Sequence, residues 1–389
     1  MRKINKIVII GAGIGGLTAA ASLRRFGFEP EVYEQAPQLG EVGAGLQLGP
    51  NAVKVLRAVG LEERLLKVAS EPTSIVSLNW NDATERFREP LRAISVEQYG
   101  ARYLTAHRAD LHDLLQSLVP PSSIPLGAAC IGVDCSPSGA TATFADGREV
   151  KCDVLVGADG IHSVVRKQLF GEKPARFTQQ ICWRAMIPMD QVPERVGPNG
   201  SVPLAHGEYS GWIGPTGHII CYPICGSKIL NIFAGRVSEQ WVDESWVTPS
   251  TNEELLAAYE GWNDAMREML RKADRCYKWG IYDRDPLERW VVNRAVLIGD
   301  AAHPMMPTLA QGAAISIEDG YALARNFASI DDIDGALTAF ERERVPRASA
   351  VQLQARAQFD DNRKVPAPPP RDRGWIFRHD VTLPQTSTN

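Results

Sequence analysis

Apolar and polar positions change rhythm three times along the chain. Residues 6–10 form a nearly continuous apolar run, the pattern of a strand covered on both faces of a parallel sheet. An Ala- and Leu-rich stretch over 17–26 predicts a helix closed by Gly27, and 31–34 predicts a second strand, so the first 35 residues read as a βαβ unit. After Arg108, Leu111, Leu114, Leu115 and Leu118 share one helical face, and 153–156 is a short strand entering a Gly turn. Between about 179 and 235 the rhythm shortens. Alternating runs at 181–187, 218–222 and 229–233, punctuated by Pro and Gly, predict a separate and mostly antiparallel sheet. A helix over 253–273 then returns the chain, 291–298 is again a buried-strand pattern, and 313–327 and 335–359 predict helices. The Pro-rich run 365–370 predicts a stiff, extended connection to a tail whose last residues, 385–389, fray.

Composition narrows the class. The 389 residues are 44% hydrophobic and 23% charged, which excludes a mainly disordered chain and a disulfide scaffold. With Lys+Arg at 42, Asp+Glu at 46 and a net charge of −4, there is no basic excess for a nucleic-acid partner. The seven cysteines are odd in number and contain no C-x-x-C pair, which argues against a zinc site and a complete disulfide framework. No apolar stretch approaches a membrane span, and the run at 7–10 is too short for a signal-peptide core. A soluble protein in the reducing cytoplasm, with no metal and no membrane partner, is the expectation.

The turn after the first strand reads Gly11-Ala12-Gly13-Ile14-Gly15-Gly16, a G-x-G-x-x-G pattern between strand and helix. The first glycine allows the tight turn, the second lets backbone approach a pyrophosphate, and the last lets helix and strand pack closely. The phosphates then meet free N–H groups at a helix N-terminus. Glu34, 23 positions after Gly11 and followed by Gln35, ends the second strand, where a carboxylate hydrogen-bonds a ribose 2′-OH. FAD and NAD both satisfy this fingerprint. The fold class is therefore α/β, with a Rossmann-like nucleotide domain on a parallel sheet, interrupted by a mostly antiparallel β domain and followed by a C-terminal helix. Its expected boundaries are 1–73, 102–178 and 290–334 for the nucleotide domain, 74–101 and 179–289 for the substrate domain, and 335–389 for the C-terminal helix and tail.

Two further segments decide the cofactor. Residues 157–163 carry Asp159-Gly160 in a Gly-rich turn, and 299–312 run from Gly299-Asp300 through His303-Pro304 and Pro307 to Gly312. In this order, the three motifs resemble the single-component FAD-dependent aromatic hydroxylases, the para-hydroxybenzoate hydroxylase-like group, from about residue 5 to 360. The resemblance implies non-covalent FAD, with Asp300 on a ribityl hydroxyl and the N–H groups of Gly312 and Ala313 facing the flavin. It places Arg108 near the phosphates, and Asp159 at a second nucleotide fingerprint serving FAD and the nicotinamide donor. Within the group, the chain is most similar to 3-hydroxybenzoate 6-hydroxylases, 6-hydroxynicotinate 3-monooxygenases and salicylate hydroxylases. The cues are the segment 43–51, the run His107-Arg108-Ala109-Asp110-Leu111-His112, and His303-Pro304-Met305.

The substrate reading rests on His218-Ile219-Ile220-Cys221-Tyr222. Alternation in a strand puts His218, Ile220 and Tyr222 on one face, with the two polar ends roughly 13 Å apart along the strand. The relatives carry His and Tyr at this spacing near the substrate hydroxyl, so His218 is expected to accept a phenolic proton directly or through Tyr222. Gln47, Arg184, Pro304 and Pro307 complete the expected pocket. Arg184 either binds a substrate carboxylate or makes an ion pair between domains. The chain departs from its relatives at Gln47, where some 6-hydroxynicotinate enzymes carry His, and at Pro307, where some 3-hydroxybenzoate enzymes carry Gln. His303 reads equally as structural or catalytic. Cys221 and Cys225 read as packing residues, too far apart on a strand for a local disulfide.

The implied activity is oxygen-dependent hydroxylation of a phenolic or hydroxylated heteroaromatic acid through C4a-hydroperoxyflavin, with NADH or NADPH as donor and NADH expected first. The partners are then a small aromatic acid and dioxygen, and a homodimer is the assembly common among relatives. Two other readings stay open: a monooxygenase, epoxidase or reductase acting on a bulkier lipid or polyketide, and a non-catalytic FAD-bound redox sensor.

Overall fold

The computed structural model describes residues 4–40, 44–196, 198–200, 202–203, 207–238, 248–273, 276–364, 368–369 and 371–384. The apolar start forms the strand Ile7–Ile10, buried throughout, at the heart of a five-stranded sheet. It pairs in parallel with Glu31–Tyr33 on one side and Val154–Gly157 on the other, and Val154–Gly157 pairs in parallel with Ala295–Leu297. The helices predicted over 17–26 and 313–327 form as Ile14–Arg25 and Gly312–Ser329, and the two pack against each other. The single strand expected over 291–298 is instead a tight hairpin. Val291–Val292 turns back antiparallel onto Ala295–Leu297 through Asn293 at φ +50°, a conformation Asn tolerates better than most residues.

The second sheet has eight strands, in the order Thr248–Ser250, Cys276–Asp283, Arg176–Pro188, Ile229–Val237, Gly217–Ile224, Tyr209–Gly214, Ile75–Asn79 and Glu85–Glu89. All its pairs are antiparallel except that between Tyr209–Gly214 and Ile75–Asn79. The helix expected over 253–273 is broken into Asn252–Ala258 and Asp264–Leu270, because Gly261 adopts φ +80° and Asn263 caps a new helix by accepting from the Ala265 amide. The apolar side of these two helices, with Met266, Met269 and Leu270, packs in the core.

The helix predicted over 335–359 runs longer, Ile333–Asn362, and is tied to Gly312–Ser329 by buried charges. Arg344 bonds Glu318 and Asp319, each at 2.8 Å, and Arg347 Nε reaches Glu318 at 2.6 Å. Burial alone would raise Glu318, but the Arg344 and Arg347 guanidiniums outweigh it and hold its carboxyl far below the carboxylate range.

The tail packs on the body. Its helix Gly374–Arg378 inserts Phe377 edge-on against Tyr99 and Tyr103. Lys54 Nζ donates to the carbonyls of Phe377, Arg378 and His379 at the end of this helix, and Arg325 donates to Val381 O. The residues expected to fray, 385–389, and most of the Pro-rich run lie outside the described residues. No helix among the described residues is long and apolar enough to cross a membrane.

Candidate active site

Two adjoining spaces open where the parallel sheet meets the eight-stranded one. The first is a crevice lined by Gly13, Gly15, Arg108, Asp300, Gly312 and Ala313, among others. Its floor is backbone. Gly11 takes φ +103°, and a Cβ there would lie 2.5 Å from Ala158 O, while a Cβ on Gly16 would lie 2.0 Å from Gly11 O. These two glycines pack the turn. Gly13, by contrast, has no atom within 4 Å of an added Cβ and faces the opening. Gly13 caps Ile14–Arg25 and Gln311 caps Gly312–Ser329, both without a side-chain cap bond, so two long helices present uncapped N–H ends where a crevice opens. Glu34 stands at the glycine turn, accepting from the amides of Ala12 and Ala36 at 2.8 and 2.9 Å. Asp300 is exposed at the crevice. Free amides for phosphates, Asp300 and Arg108 in the lining, and Glu34 held at the glycine turn suit a dinucleotide such as FAD.

The surrounding motifs hold this floor in place. His112 Nε2 bonds Ala12 O at 2.7 Å, and Arg108 N donates to Ala44 O, which sets the helix carrying Arg108 against the glycine turn. The Asp159 carboxylate does not line the crevice. It accepts from Ser163 Oγ at 2.5 Å and Val165 N at 3.1 Å, while Ala158 and Gly160 on either side supply the lining. Arg166 then donates to the carbonyls of Ala301 and Ala302, so this motif shapes the turn that carries Asp300. Gln35 is exposed beside Glu34 and is not brought into the crevice.

The second space is a cavity of about 230 Å³. Strand register builds one wall. Tyr222 pairs with Asn231, Ile220 with Phe233, and His218 with Gly235, while Phe233 in turn pairs with Arg184, so His218, Ile220, Tyr222, Asn231, Phe233 and Arg184 face the cavity together. Gly235 is required there, since a Cβ would come within 2.8 Å of the His218 ring. His218 is buried and stacked on Phe233 with ring centroids 5.6 Å apart, and burial lowers its pKa from 6.5 to about 4. It is therefore a neutral ring at physiological pH, with nitrogen able to accept a proton. Tyr222 stacks on Tyr209 at 6.0 Å, and burial raises both phenols.

Gln47 forms the opposite corner. It lies on Gly45–Leu48, a strand docked by Gly45 N donating to Asn231 Oδ1 at 2.8 Å. Tyr103 Oη donates to Gln47 Oε1 at 2.5 Å, and Tyr209 and Tyr222 line the cavity with Gln47. The roof is the loop from Met305 to Ala313, with Pro307 in the lining. Asn51 anchors it by donating to Gln311 Oε1 and Glu318 Oε1.

Of the residues expected in the substrate pocket, Gln47, Arg184 and Pro307 meet His218 and Tyr222 here. Pro304 does not: it is buried behind the loop, its carbonyl accepting from Gln352. His303 is also buried away from the cavity, bonded to Asp319 at 2.6 Å and packed at a tilt against the Trp290 ring. Arg184 stacks over Trp279, 4.5 Å from its centroid. The sequence reading missed Tyr209, Asn231, Phe233 and Arg373. Tyr209 was recoverable from the hairpin turn at 215–216, and Asn231 and Phe233 from the next turn at 225–228, whose registers set them against the His218–Tyr222 face. No local signal marks Arg373. All seven cysteines are free, and no metal-binding cluster occurs among the described residues.

Comparisons with known proteins agree with this geometry. Residues 5–355 match the protein family described as FAD binding domain. A 3-amino-4-hydroxybenzoate 2-monooxygenase of Streptomyces platensis is 40% identical over 352 residues, covering 90% of this chain and 87% of that protein. A 6-hydroxynicotinate 3-monooxygenase of Pseudomonas fluorescens is 34% identical, covering 98% and 96%. A salicylate hydroxylase solved with substrate superposes with a TM-score of 0.83 at 26% identity, covering 97% of this chain and 96% of that one.

Proposed function

The chain belongs to the FAD-binding family of aromatic hydroxylases, and from that premise we propose that it hydroxylates a single-ring acid bearing a phenolic or ring-nitrogen-activated hydroxyl, with a reduced nicotinamide, NADH or NADPH, as donor. It is an FAD-dependent monooxygenase acting on an aromatic or heteroaromatic acid. The observation that carries the finer reading is the cavity itself, where a neutral His218 and Tyr222 face the loop leading to Gly312. Its lining sets apolar Ile220 and Phe233 beside His218, Tyr222 and Gln47, which suits a ring bearing polar substituents.

FAD, when bound, supplies the reducing and oxygen-activating chemistry. The Gly13 and Gly15 amides and Arg108 would hold its phosphates, Glu34 a ribose hydroxyl, Asp300 its ribityl chain, and the N-terminal amides of Gly312–Ser329 the anionic edge of its ring. His218 accepts the proton of the substrate hydroxyl, directly or relayed by the Tyr222 phenol. The ring gains electron density as that proton leaves, which is what attack on an electrophilic oxygen requires. The substrate anion that results is a stronger partner for the proton-bearing imidazole than any group in the ligand-free cavity. Ile220, Phe233 and Pro307 keep water from the reacting carbon. Gln47, held by Tyr103, lines the cavity beside Tyr209 and Tyr222 and offers its amide to a ring substituent.

Purified yellow protein, assayed in air with NADH against 3-amino-4-hydroxybenzoate, 6-hydroxynicotinate and 3-hydroxybenzoate, tests this. One acid is expected to accelerate NADH loss and to gain a single oxygen by mass. Acceleration by none of a wider ring-acid panel would overturn the substrate class.

A further inference from the structure

The C-terminal tail sends one side chain into the active-site cavity. Arg373, the cap residue of Gly374–Arg378, lines the same space as His218, Tyr222 and Gln47 although it lies some 150 positions later in the chain than Tyr222. Three guanidiniums, those of Arg108, Arg184 and Arg373, line this cavity against a single carboxylate, Asp300. Arg108 and Asp300 also line the cofactor crevice, and Arg184 Cζ lies 4.5 Å from the Trp279 ring centroid. Arg373 is differently placed. Among the described residues no carboxylate pairs with it, and its guanidinium rests 5.6 Å from the centroid of Phe377. Its neighbour Arg371, two positions earlier, is paired at 2.6 Å with Asp361.

The segment that presents Arg373 is firmly seated. Arg347 donates to Ile376 O, Trp375 Nε1 donates to Gln354 at 2.9 Å, and Phe377 is wedged against Tyr99 and Tyr103. Tyr103 is the residue that donates to Gln47, so the tail and the Gln47 corner share one packed unit. A half-buried guanidinium with no carboxylate partner, on a fixed backbone and lining the same cavity as a neutral imidazole, is an anion site.

We propose that Arg373 binds the ring carboxylate of the substrate, so that the tail sets which acids the enzyme accepts and which ring carbon faces the flavin loop. This deepens the proposed function and rests on its substrate class being correct. The carboxylate held at Arg373 and the hydroxyl held at His218 and Tyr222 define two ends of the ring, and the tail is then a specificity element rather than a surface appendage.

The test is equilibrium binding to the FAD-loaded enzyme, read from the change in flavin absorbance without NADH. The probes are the tightest-binding of the three ring acids named above and its carboxamide, which keeps the ring and hydroxyl but removes the charge. Arg373→Ala is expected to weaken the acid by about 30-fold or more and to leave the carboxamide within about 3-fold of wild type. Arg373→Lys keeps the charge without the fork and should fall between. Unchanged acid affinity in Arg373→Ala would overturn the anchor while leaving the hydroxylase reading intact. An equal loss of acid and carboxamide would also overturn it, because the residue would then only shape the cavity. Wild-type enzyme that binds no ring acid would overturn the substrate class and the anchor together.

Discussion

The cofactor crevice is made mostly of backbone, and the ring cavity beside it mostly of side chains. In the crevice, the amides of the glycine turn and of two helix ends face inward, and the named side chains sit at its margins. In the cavity, the recognising groups come from four strands of one sheet, a strand of the other domain, a loop and the tail. A backbone site tolerates change in most side chains but not in the glycines that let the chain pass close to itself. A side-chain site can be retuned one residue at a time without disturbing the fold. The family's shared cofactor and varied substrates follow from that division of labour.

The sharpest way to break the comparison is at the glycine turn. Gly16→Ala places a Cβ 2.0 Å from Gly11 O, a clash with backbone that cannot swing aside, and is expected to abolish folded, yellow protein. Gly13→Ala meets no protein atom and is expected to fold with an unchanged apo melting temperature while retaining little FAD, measured by the flavin-to-protein absorbance ratio. If both variants lose only FAD, the packing role given to Gly16 is wrong.

Next in size is the buried charge cluster behind the flavin loop. Arg344→Met leaves Glu318 and Asp319 without their shared partner in a fully buried site. It should cost about 3–5 kcal/mol in urea unfolding, because the two carboxylates stay buried after their counter-charge has gone.

The glycine-turn prediction concerns what spacing in the sequence made legible, whereas the Arg344 cluster emerged only from the packing of two helices. The βαβ unit, the glycine turn, Glu34 and Asp300 could be placed from periodicity and offset, since each lies within one local element or its turn. The same local reading overran at 253–273 and 291–298, where Gly261 and Asn293 adopt positive φ and break elements that the apolar pattern runs through. Asp159 and Pro304 were assigned by motif position, and position alone does not say which way a side chain turns: one holds its own turn and the other packs behind the loop. In the cavity, His218 and Tyr222 were legible because they alternate on one strand. Tyr209, Asn231 and Phe233 reach it through strand register, and Arg373 through a docked tail, and neither long-range relation leaves a mark at the residue itself.

Smaller effects probe the side-chain site. His218→Ala should lower hydroxylation about 100-fold, the lower range for loss of a general base, with FAD content unchanged. Product formation per NADH is the measurement, since peroxide release would hide the loss if NADH oxidation alone were followed.

The smallest effect is on stability in acid. Burial holds His218 at about 4, below the ordinary 6.5, so the folded protein binds its proton less readily than the unfolded chain. The stability from burying the neutral ring is present above pH 6.5 and is lost as pH falls towards about 4. Between about pH 6 and about pH 5 this one residue should contribute roughly 1 kcal/mol of that loss. His379 is shifted the same way by burial, so the readout is the shallower acid slope of His218→Asn relative to wild type, not the slope itself.

The most direct test of the central claim is turnover under isotopically labelled dioxygen with the acid that best accelerates NADH oxidation. The account predicts a ring product carrying one labelled oxygen, formed in step with NADH consumed, and a sharp fall in that coupling in His218→Ala enzyme that still holds FAD. Oxygen derived from water, or NADH oxidation that yields only peroxide with every ring acid, would contradict it.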